Sequence, residues 1–260
     1  MKKQTVLITG ASSGIGYELA HVFARHGHDL VLVARRKERL ETLASELRQK
    51  HGRKVWIFSC NLAEKDEISK LYYTIQNAKI QIDILVNNAG VGYFGEFAKS
   101  DFNISRNMIV LNMMALTYLT HLFLPGMIKC GRGKILNLAS TASFQPGPFM
   151  AVYFASKAYV LSFSEAIGNE LIGTGVTVTA LCPGGTSTEF QKIANHTSKS
   201  KLLSKRMMTA NEVAEIGYAG LMKNKAIVIP GFINKLMAIS VRFIPRFFVT
   251  KITRRIVKSA

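Results

Sequence analysis

Short apolar, β-branched runs alternate with longer amphipathic ones along most of this chain. The runs Thr5–Thr9, Asp29–Ala34, Lys54–Ser59, Ile84–Asn87, Lys134–Leu138, Val176–Leu181 and Ala226–Ile229 read as strands. Between them, helices are predicted at Gly14–Gly27, Arg36–His51, Glu64–Ala78, Asp101–Lys129, Met150–Gly173 and Asn211–Lys223. Leu40, Leu43 and Leu47 recur at helical spacing, and Gly27 sits where a C-cap glycine would stand. This alternation is the signature of βα units around a parallel sheet, and right-handed crossovers leave few other topologies. The predicted class is therefore α/β: a doubly wound parallel sheet of about seven strands with helices on both faces. With no internal repeat or Pro-rich linker, residues 1–231 read as one domain and 232–260 as a basic amphipathic extension.

Composition narrows the class. The chain has 260 residues, 48% hydrophobic and 19% charged, which suits one folded domain with a sizeable core and excludes global disorder. Cys60, Cys130 and Cys182 are scattered, without metal-ligand spacing, and read as small buried apolar residues in a reducing, cytoplasmic compartment. No metal site is expected. The first strand is expected almost at Met1, so no signal peptide is expected, and charges and prolines interrupt the apolar stretch Ala226–Val249, so no membrane-spanning helix is expected there.

The net charge of +18 is unevenly placed. Residues 190–260 hold 14 Lys and Arg against Glu212 and Glu215, whereas residues 1–189 hold 20 against 14. Within the extension, Phe248, Ile252 and Ile256 recur every four residues, with Arg246, Lys251, Arg254, Arg255 and Lys258 on other faces. Such a helix suits an anionic membrane surface, which would place the protein peripherally on the inner face of a membrane. The competing reading packs it over a substrate mouth or a subunit interface. Charge without a reading motif gives only salt-sensitive attraction to nucleic acid, so no specific nucleic-acid partner is expected.

The first strand leads into Thr9-Gly10-Ala11-Ser12-Ser13-Gly14-Ile15-Gly16, and a helix leads out. Glycines let the backbone approach a pyrophosphate, and the helix N-terminus offers unpaired N–H groups and partial positive charge. Gly10, Ser12, Ser13, Gly14, Ile15 and Gly16 are thus the candidate cradle of a dinucleotide, although the glycine spacing departs from the commoner Gly-x-Gly-x-x-Gly. After the second strand, an NAD site presents a carboxylate to the ribose 2′-OH, and an NADP site presents a cation to a 2′-phosphate. Here stand Arg35 and Arg36, with no acid before Glu38: Arg35 would present its planar fork to the phosphate, Arg36 or Ser13 could assist, and the implied cofactor is NADP(H).

Three further residues complete the chemistry. Tyr153 and Lys157 are four apart on a predicted helix, hence on one face, and Ser140 closes the apolar run Ile135–Ala139. A free phenol has a pKa of about 10, and a nearby cation favours its ionised form. Together with the glycine turn, the motifs Asn87-Asn88-Ala89-Gly90 and Pro183-Gly184-x-x-x-Thr188, and Asn112, this pattern resembles the short-chain dehydrogenase/reductase family from Thr5 to about Ile229.

The resemblance implies a Rossmann-type fold and an oxidoreductase that interconverts a carbonyl and an alcohol. It implies that Tyr153 is the proton donor or acceptor, that Lys157 binds the nicotinamide ribose and lowers the tyrosine pKa, and that Ser140 bonds the substrate oxygen. Asn112 would hold a water on the proton path. Asn88, Ala89 and Gly90 would line the adenosine side, Asn87 would brace strands, and Pro183, Gly184, Thr186 and Thr188 would lie near the nicotinamide and pyrophosphate. At Asn61 and Leu62 the family often has an acid and an apolar residue; Asn61 would still contact adenine through its amide. Homo-oligomers, dimers or tetramers, are also implied.

The loops Val91–Phe97, Thr141–Met150 and Gly185–Met208 carry Tyr93, Phe94, Phe144, Phe149, Phe190, Met207 and Met208 with few acids, which suits an apolar or lipid-like small-molecule substrate. Gln191–Arg206 is a candidate lid. The rival reading is a catalytically weak nucleotide-binding regulatory or scaffold protein, against which the intact Ser140, Tyr153 and Lys157 stand.

Overall fold

A computed structural model describes residues 4–190, 194 and 207–259. Seven parallel strands form one sheet: β1 (Thr5–Thr9), β2 (Asp29–Ala34), β3 (Val55–Ser59), β4 (Ile84–Asn87), β5 (Gly133–Leu138), β6 (Val176–Leu181) and β9 (Ile227–Val228), in the order β3-β2-β1-β4-β5-β6-β9. Every residue of β2 and β4 is buried, as parallel strands covered on both faces require. The helices are α1 (Gly14–Arg25), α2 (Lys37–His51), α3 (Lys65–Asn77), α4 (Phe102–Ile109), α5 (Leu116–Lys129), α6 (Ala151–Glu170) and α7 (Ala210–Met222). Two large clusters pack the two faces of the sheet, one around Leu19, Phe23, Leu40 and Leu47, the other around Ile75, Leu85, Leu119 and Phe123.

The strand order reverses between β1 and β4, so their carboxyl ends open the crevice where such sheets bind ligands. A buried polar chain fixes the sheet beside that crevice. Asn87 and Asn137 are register partners on β4 and β5, and Asn87 Nδ2 donates to Asn137 Oδ1 at 2.9 Å. Asn87 also donates to Thr120 Oγ1 of α5 at 3.1 Å, and Asn137 donates to Ser164 Oγ of α6 at 2.9 Å. The expected bracing role of Asn87 therefore has a structural basis, and it extends to three residues that the sequence did not single out.

Three differences from the sequence reading matter. First, the predicted helix Asp101–Lys129 contains a π-helical segment, Val110–Ala115, that joins α4 to α5 and carries Asn112. By length and apolar content Phe102–Lys129 could cross a membrane, yet Leu116, Leu119, Phe123 and Met127 are spent on the core. Second, Thr186–Ser187 (β7) pairs with Met208–Thr209 (β8) in a small second sheet that no periodicity announced. Third, Cys130 is exposed rather than buried, because it follows the last turn of α5; Cys60 and Cys182 are buried as expected.

The extension forms two helices, α8 (Phe232–Ser240) and α9 (Arg246–Ser259), and α9 begins immediately after Pro245. In α9 the inward stripe is Val249, Thr253 and Val257, whereas Phe248 and Ile252 are about half exposed. The buried face is thus displaced by one residue from the large apolar stripe read from the sequence.

Candidate active site

The glycine turn is held from behind by the end of β4. Thr9 Oγ1 accepts from the backbone N–H of Asn88 at 2.9 Å and of Ala89 at 3.0 Å, while Asn88 Nδ2 donates to the carbonyls of Thr9 and Gly10. Gly10 has φ +66°, and a β-carbon on Gly16 would lie 2.4 Å from both Asn88 Nδ2 and the Gly10 carbonyl oxygen. No side chain fits there. Asn88 accordingly shapes the turn with its side-chain amide. Opposite, Thr188 Cγ2 lies 3.2 Å from where a β-carbon on Gly14 would stand, so the loop after β6 closes on the turn.

A cation cluster stands beside the cradle. Arg36 donates to Ser12 Oγ at 3.0 Å, to Ser13 Oγ at 2.8 Å and to Glu189 at 3.0 Å, and Arg39 donates to Glu189 at 2.7 Å. The Arg39 and Arg36 guanidiniums hold the Glu189 carboxyl below the usual carboxylate range. Arg35 is exposed, and among the described residues only its carbonyl is engaged, by Ser59 Oγ at 3.0 Å. The two adjacent arginines are therefore not equivalent: Arg36, expected only to assist, is the one bonded to the glycine turn, whereas the Arg35 side chain is exposed. Arg39 and Glu189 went unread in the sequence. Arg39 lies one turn beyond Arg35 and Arg36, a spacing that could have flagged it, whereas Glu189 reaches the cluster only through the fold.

These residues fit a dinucleotide. The turn has no room for side chains, α1 begins with unpaired N–H groups, and a carboxylate already serves as the anion between Arg36 and Arg39. Asn61 Oδ1 accepts from the Ala63 N–H at 3.3 Å, and Leu62 is a core residue that leaves only its backbone for a ligand. Thr186 Oγ1 donates to the Gly184 carbonyl at 3.1 Å, and Asn234 of α8 packs against Gly184.

Ser140, Tyr153, Lys157 and Asn112 converge at the carboxyl end of β5. Ser140 is extended (φ −168°) and caps a short 3₁₀ turn, Thr141–Phe144, with its hydroxyl accepting from the Ala142 N–H. Ser143 Oγ donates to the Lys157 carbonyl at 2.7 Å, tying that turn to α6. Lys157 is buried, and its Nζ donates to the Leu138 carbonyl at 2.7 Å. Its ammonium stands 5.8 Å from the Tyr153 ring centroid. Asn112 Nδ2 donates to the Val91 carbonyl and to Ser156 Oγ, and its Oδ1 accepts from the Val91 N–H. Both its donors are spent, and one acceptor lone pair remains. Gly90 leaves that oxygen accessible, for a β-carbon there would lie 3.1 Å from Asn112 Oδ1 and 3.5 Å from Lys157 Nζ.

Burial dominates the electrostatics. It pushes the Tyr153 phenol up, against a downward pull from its hydrogen bond with Ser140. It pushes the Lys157 ammonium down to about 8. The lysine thus sits close to its own titration, while no lowering of the tyrosine by the lysine is expressed in this arrangement.

The mouth of the site is aromatic. The Tyr153 ring lies 5.3 Å from Phe190 and 6.1 Å from Phe154, and Phe94 lies 6.0 Å from Phe149. Val257 of α9 packs with Ala142 and Phe154 in the cluster that includes Tyr153, and Arg254 stands 5.5 Å over the Phe149 ring. The extension therefore covers the aromatic end of the site. The candidate lid Gln191–Arg206 lies outside the described residues except for Ala194, which is buried and bonds Phe94 to Phe190 through its backbone.

Residues 4–199 match the sequence profile of the family described as short chain dehydrogenase. The ketoacyl reductase HetN of a Nostoc species is 33% identical over 82% of this chain and 74% of its own length. A sulfoacetaldehyde reductase of Chromohalobacter salexigens is 37% identical over 81% and 85%, respectively. Among solved structures, a short-chain dehydrogenase from Sphingobium yanoikuyae in complex with NADPH superposes with a TM-score of 0.84 at 34% identity, covering 92% of this chain and 93% of that one.

Proposed function

The chain belongs to the short-chain dehydrogenase family, which makes it an oxidoreductase with a nicotinamide cofactor, and on that premise we propose an NADP(H)-dependent enzyme that interconverts an apolar ketone or aldehyde and its alcohol. The observation that carries this reading is the gathering of Ser140, Tyr153, Lys157 and Asn112 at one sheet end beside a glycine turn and an arginine–serine anion cradle. Arg36, Ser12 and Ser13 would hold a 2′-phosphate, with Arg39 and the exposed Arg35 adding charge. The bound nicotinamide supplies or accepts the hydride.

The chain's own residues then manage the proton and the developing charge. Tyr153 donates its phenolic proton to the carbonyl oxygen, or takes it from the alcohol in the reverse direction, a contribution of about 10²–10⁴-fold. Ser140, within bonding reach of that phenol, donates to the same oxygen and stabilises negative charge there. Lys157 keeps a cation in the buried space behind the tyrosine. Asn112 positions the Gly90–Val91 backbone against α6 and offers its remaining lone pair to a water on the proton route. The aromatic walls exclude bulk water and favour an apolar substrate. That preference agrees with HetN, named for ketoacyl reduction, more closely than with the reductase named for sulfoacetaldehyde.

The test is Tyr153→Phe. Turnover on a panel of apolar carbonyls should fall at least 10²-fold, while NADPH fluorescence titration returns an unchanged Kd. Retained turnover would remove Tyr153 from the proposed chemistry.

A further inference from the structure

The last two helices turn outward what a folded chain usually hides. Of the nineteen large apolar side chains exposed among the described residues, ten lie between Phe232 and Ile256. On α8 Ala238 is the one buried residue and Asn234 packs on Gly184, while Phe232 is 80% and Leu236 57% exposed. The turn that follows presents Phe243 at 82%, and the outer flank of α9 presents Phe247, Phe248 and Ile252. Isolated exposed apolar residues are ordinary, but a contiguous run across two helices and their connection marks a contact surface.

Charge identifies the occupant. From Gly217 to Ala260 the chain has no Asp or Glu, and residues 232–259 carry Lys235, Arg242, Arg246, Lys251, Arg254, Arg255 and Lys258. On the helical wheel of α9 the order around the circumference is the buried stripe, then Ile252 and Phe248, then Arg255 and Lys251. A helix lying in a bilayer interface has this arrangement, with apolar residues entering the acyl boundary and long basic stems reaching back to the headgroups. Lys251 Nζ, 4.0 Å above the Phe247 ring, shows the two classes side by side. A second copy of this chain fits less well, because a two-fold contact through this face would set Lys235, Arg242, Lys251 and Arg255 against their own copies, with no carboxylate anywhere in residues 232–259 to pair them.

We propose that α8, the turn through Phe243 and the outer flank of α9 form a docking surface for an anionic lipid bilayer, entered in the plane of the interface and not across it. The docking rests on the exposed side chains alone. Its consequence, that the aromatic mouth beneath α9 draws substrate from the lipid phase, rests on the catalytic reading above.

The experiment is flotation of the full-length protein with phosphatidylcholine vesicles and with phosphatidylcholine–phosphatidylserine vesicles, at low and high salt. The expected result is binding to the anionic vesicles, at least tenfold weaker on the neutral ones and weakened by salt. Phe232→Ser/Phe243→Ser/Phe247→Ser, shown by circular dichroism to be folded, should lose at least tenfold in vesicle binding. Lys251→Glu/Arg255→Glu should abolish the preference for phosphatidylserine. Equal, negligible binding of the wild-type chain to both vesicles would overturn the proposal, as would unchanged binding of the triple serine variant. If the serine variant converts a dimer to a monomer in sedimentation and the wild type ignores vesicles, the surface is a contact between copies and the proposal fails. None of these outcomes depends on turnover, so loss of the docking idea leaves the oxidoreductase reading standing.

Discussion

Lys157 shows what the chemistry asks of a single residue. Its ammonium is buried, bonds one carbonyl, and is depressed from 10.5 to about 8 by desolvation. Below pH 8 the folded protein bears the full penalty of a buried charge. Between about 8 and 10.5 the unfolded chain holds the proton that the folded chain has shed, so stability rises with pH across that window. Lys157→Met should therefore raise unfolding free energy at pH 7 by about 1–2 kcal/mol while abolishing turnover. Urea titrations at several pH values should show that advantage shrinking from pH 8 upward; an advantage independent of pH would contradict the assignment. Glu189 offers a second test. It occupies the anion position between Arg36 and Arg39 in two half-exposed ion pairs, each worth about 0.2–1 kcal/mol. A 2′-phosphate must compete with it, so Glu189→Gln should tighten NADPH binding about two- to tenfold and leave NADH unchanged. If both cofactors respond alike, Glu189 acts on the crevice as a whole and not on the phosphate.

At the scale of elements, most of the architecture was legible. The strand bounds of β1, β2, β4 and β6 agree with the reading from apolar runs, and α1, α2 and α3 differ by a residue or two at their ends. The π-helical segment was not legible, since Val110–Ala115 carries the same apolar spacing as the helices around it. It places Asn112 against Val91 and Ser156, a local unwinding of the kind found at functional sites. The Asn87–Asn137 brace was half legible: an asparagine at a strand end is visible, but its partner depends on strand register. Asn137→Ala should cost about 1–3 kcal/mol by leaving Asn87 and Ser164 with lost partners, read as a lowered thermal midpoint with the cofactor Kd nearly unchanged. Gly16→Ala should instead abolish cofactor binding, because its β-carbon collides with Asn88 and the Gly10 carbonyl and forces the turn open.

Across the whole molecule, the extension joins the catalytic body to its surface. Val249, Thr253 and Val257 hold α9 over the substrate side, and Asn234 fits α8 against Gly184. Of the readings left open by the sequence, the cover over the mouth describes the inner side of α9, and the anionic membrane surface proposed above concerns its outer side. Val257→Asp would bury an unpaired carboxylate beside Phe154 and should raise KM for apolar substrates severalfold without altering NADPH affinity. An unchanged KM would show that α9 packs on the mouth without shaping it.

The sequence by itself determined the doubly wound sheet, the glycine turn, the Ser140–Tyr153–Lys157 constellation and the accumulation of cations near the end. Periodicity, side-chain size and charge are local properties, and each of these features is written locally. Tertiary structure decided which of two adjacent arginines bonds the glycine turn, that Glu189 meets Arg36 and Arg39 from about 150 residues away, and which stripe of α9 turns inward. It also decided that desolvation, more than the neighbouring charge, governs Tyr153 and Lys157. Such outcomes depend on distances across the fold and on the exclusion of water, and neither quantity exists until the chain has packed.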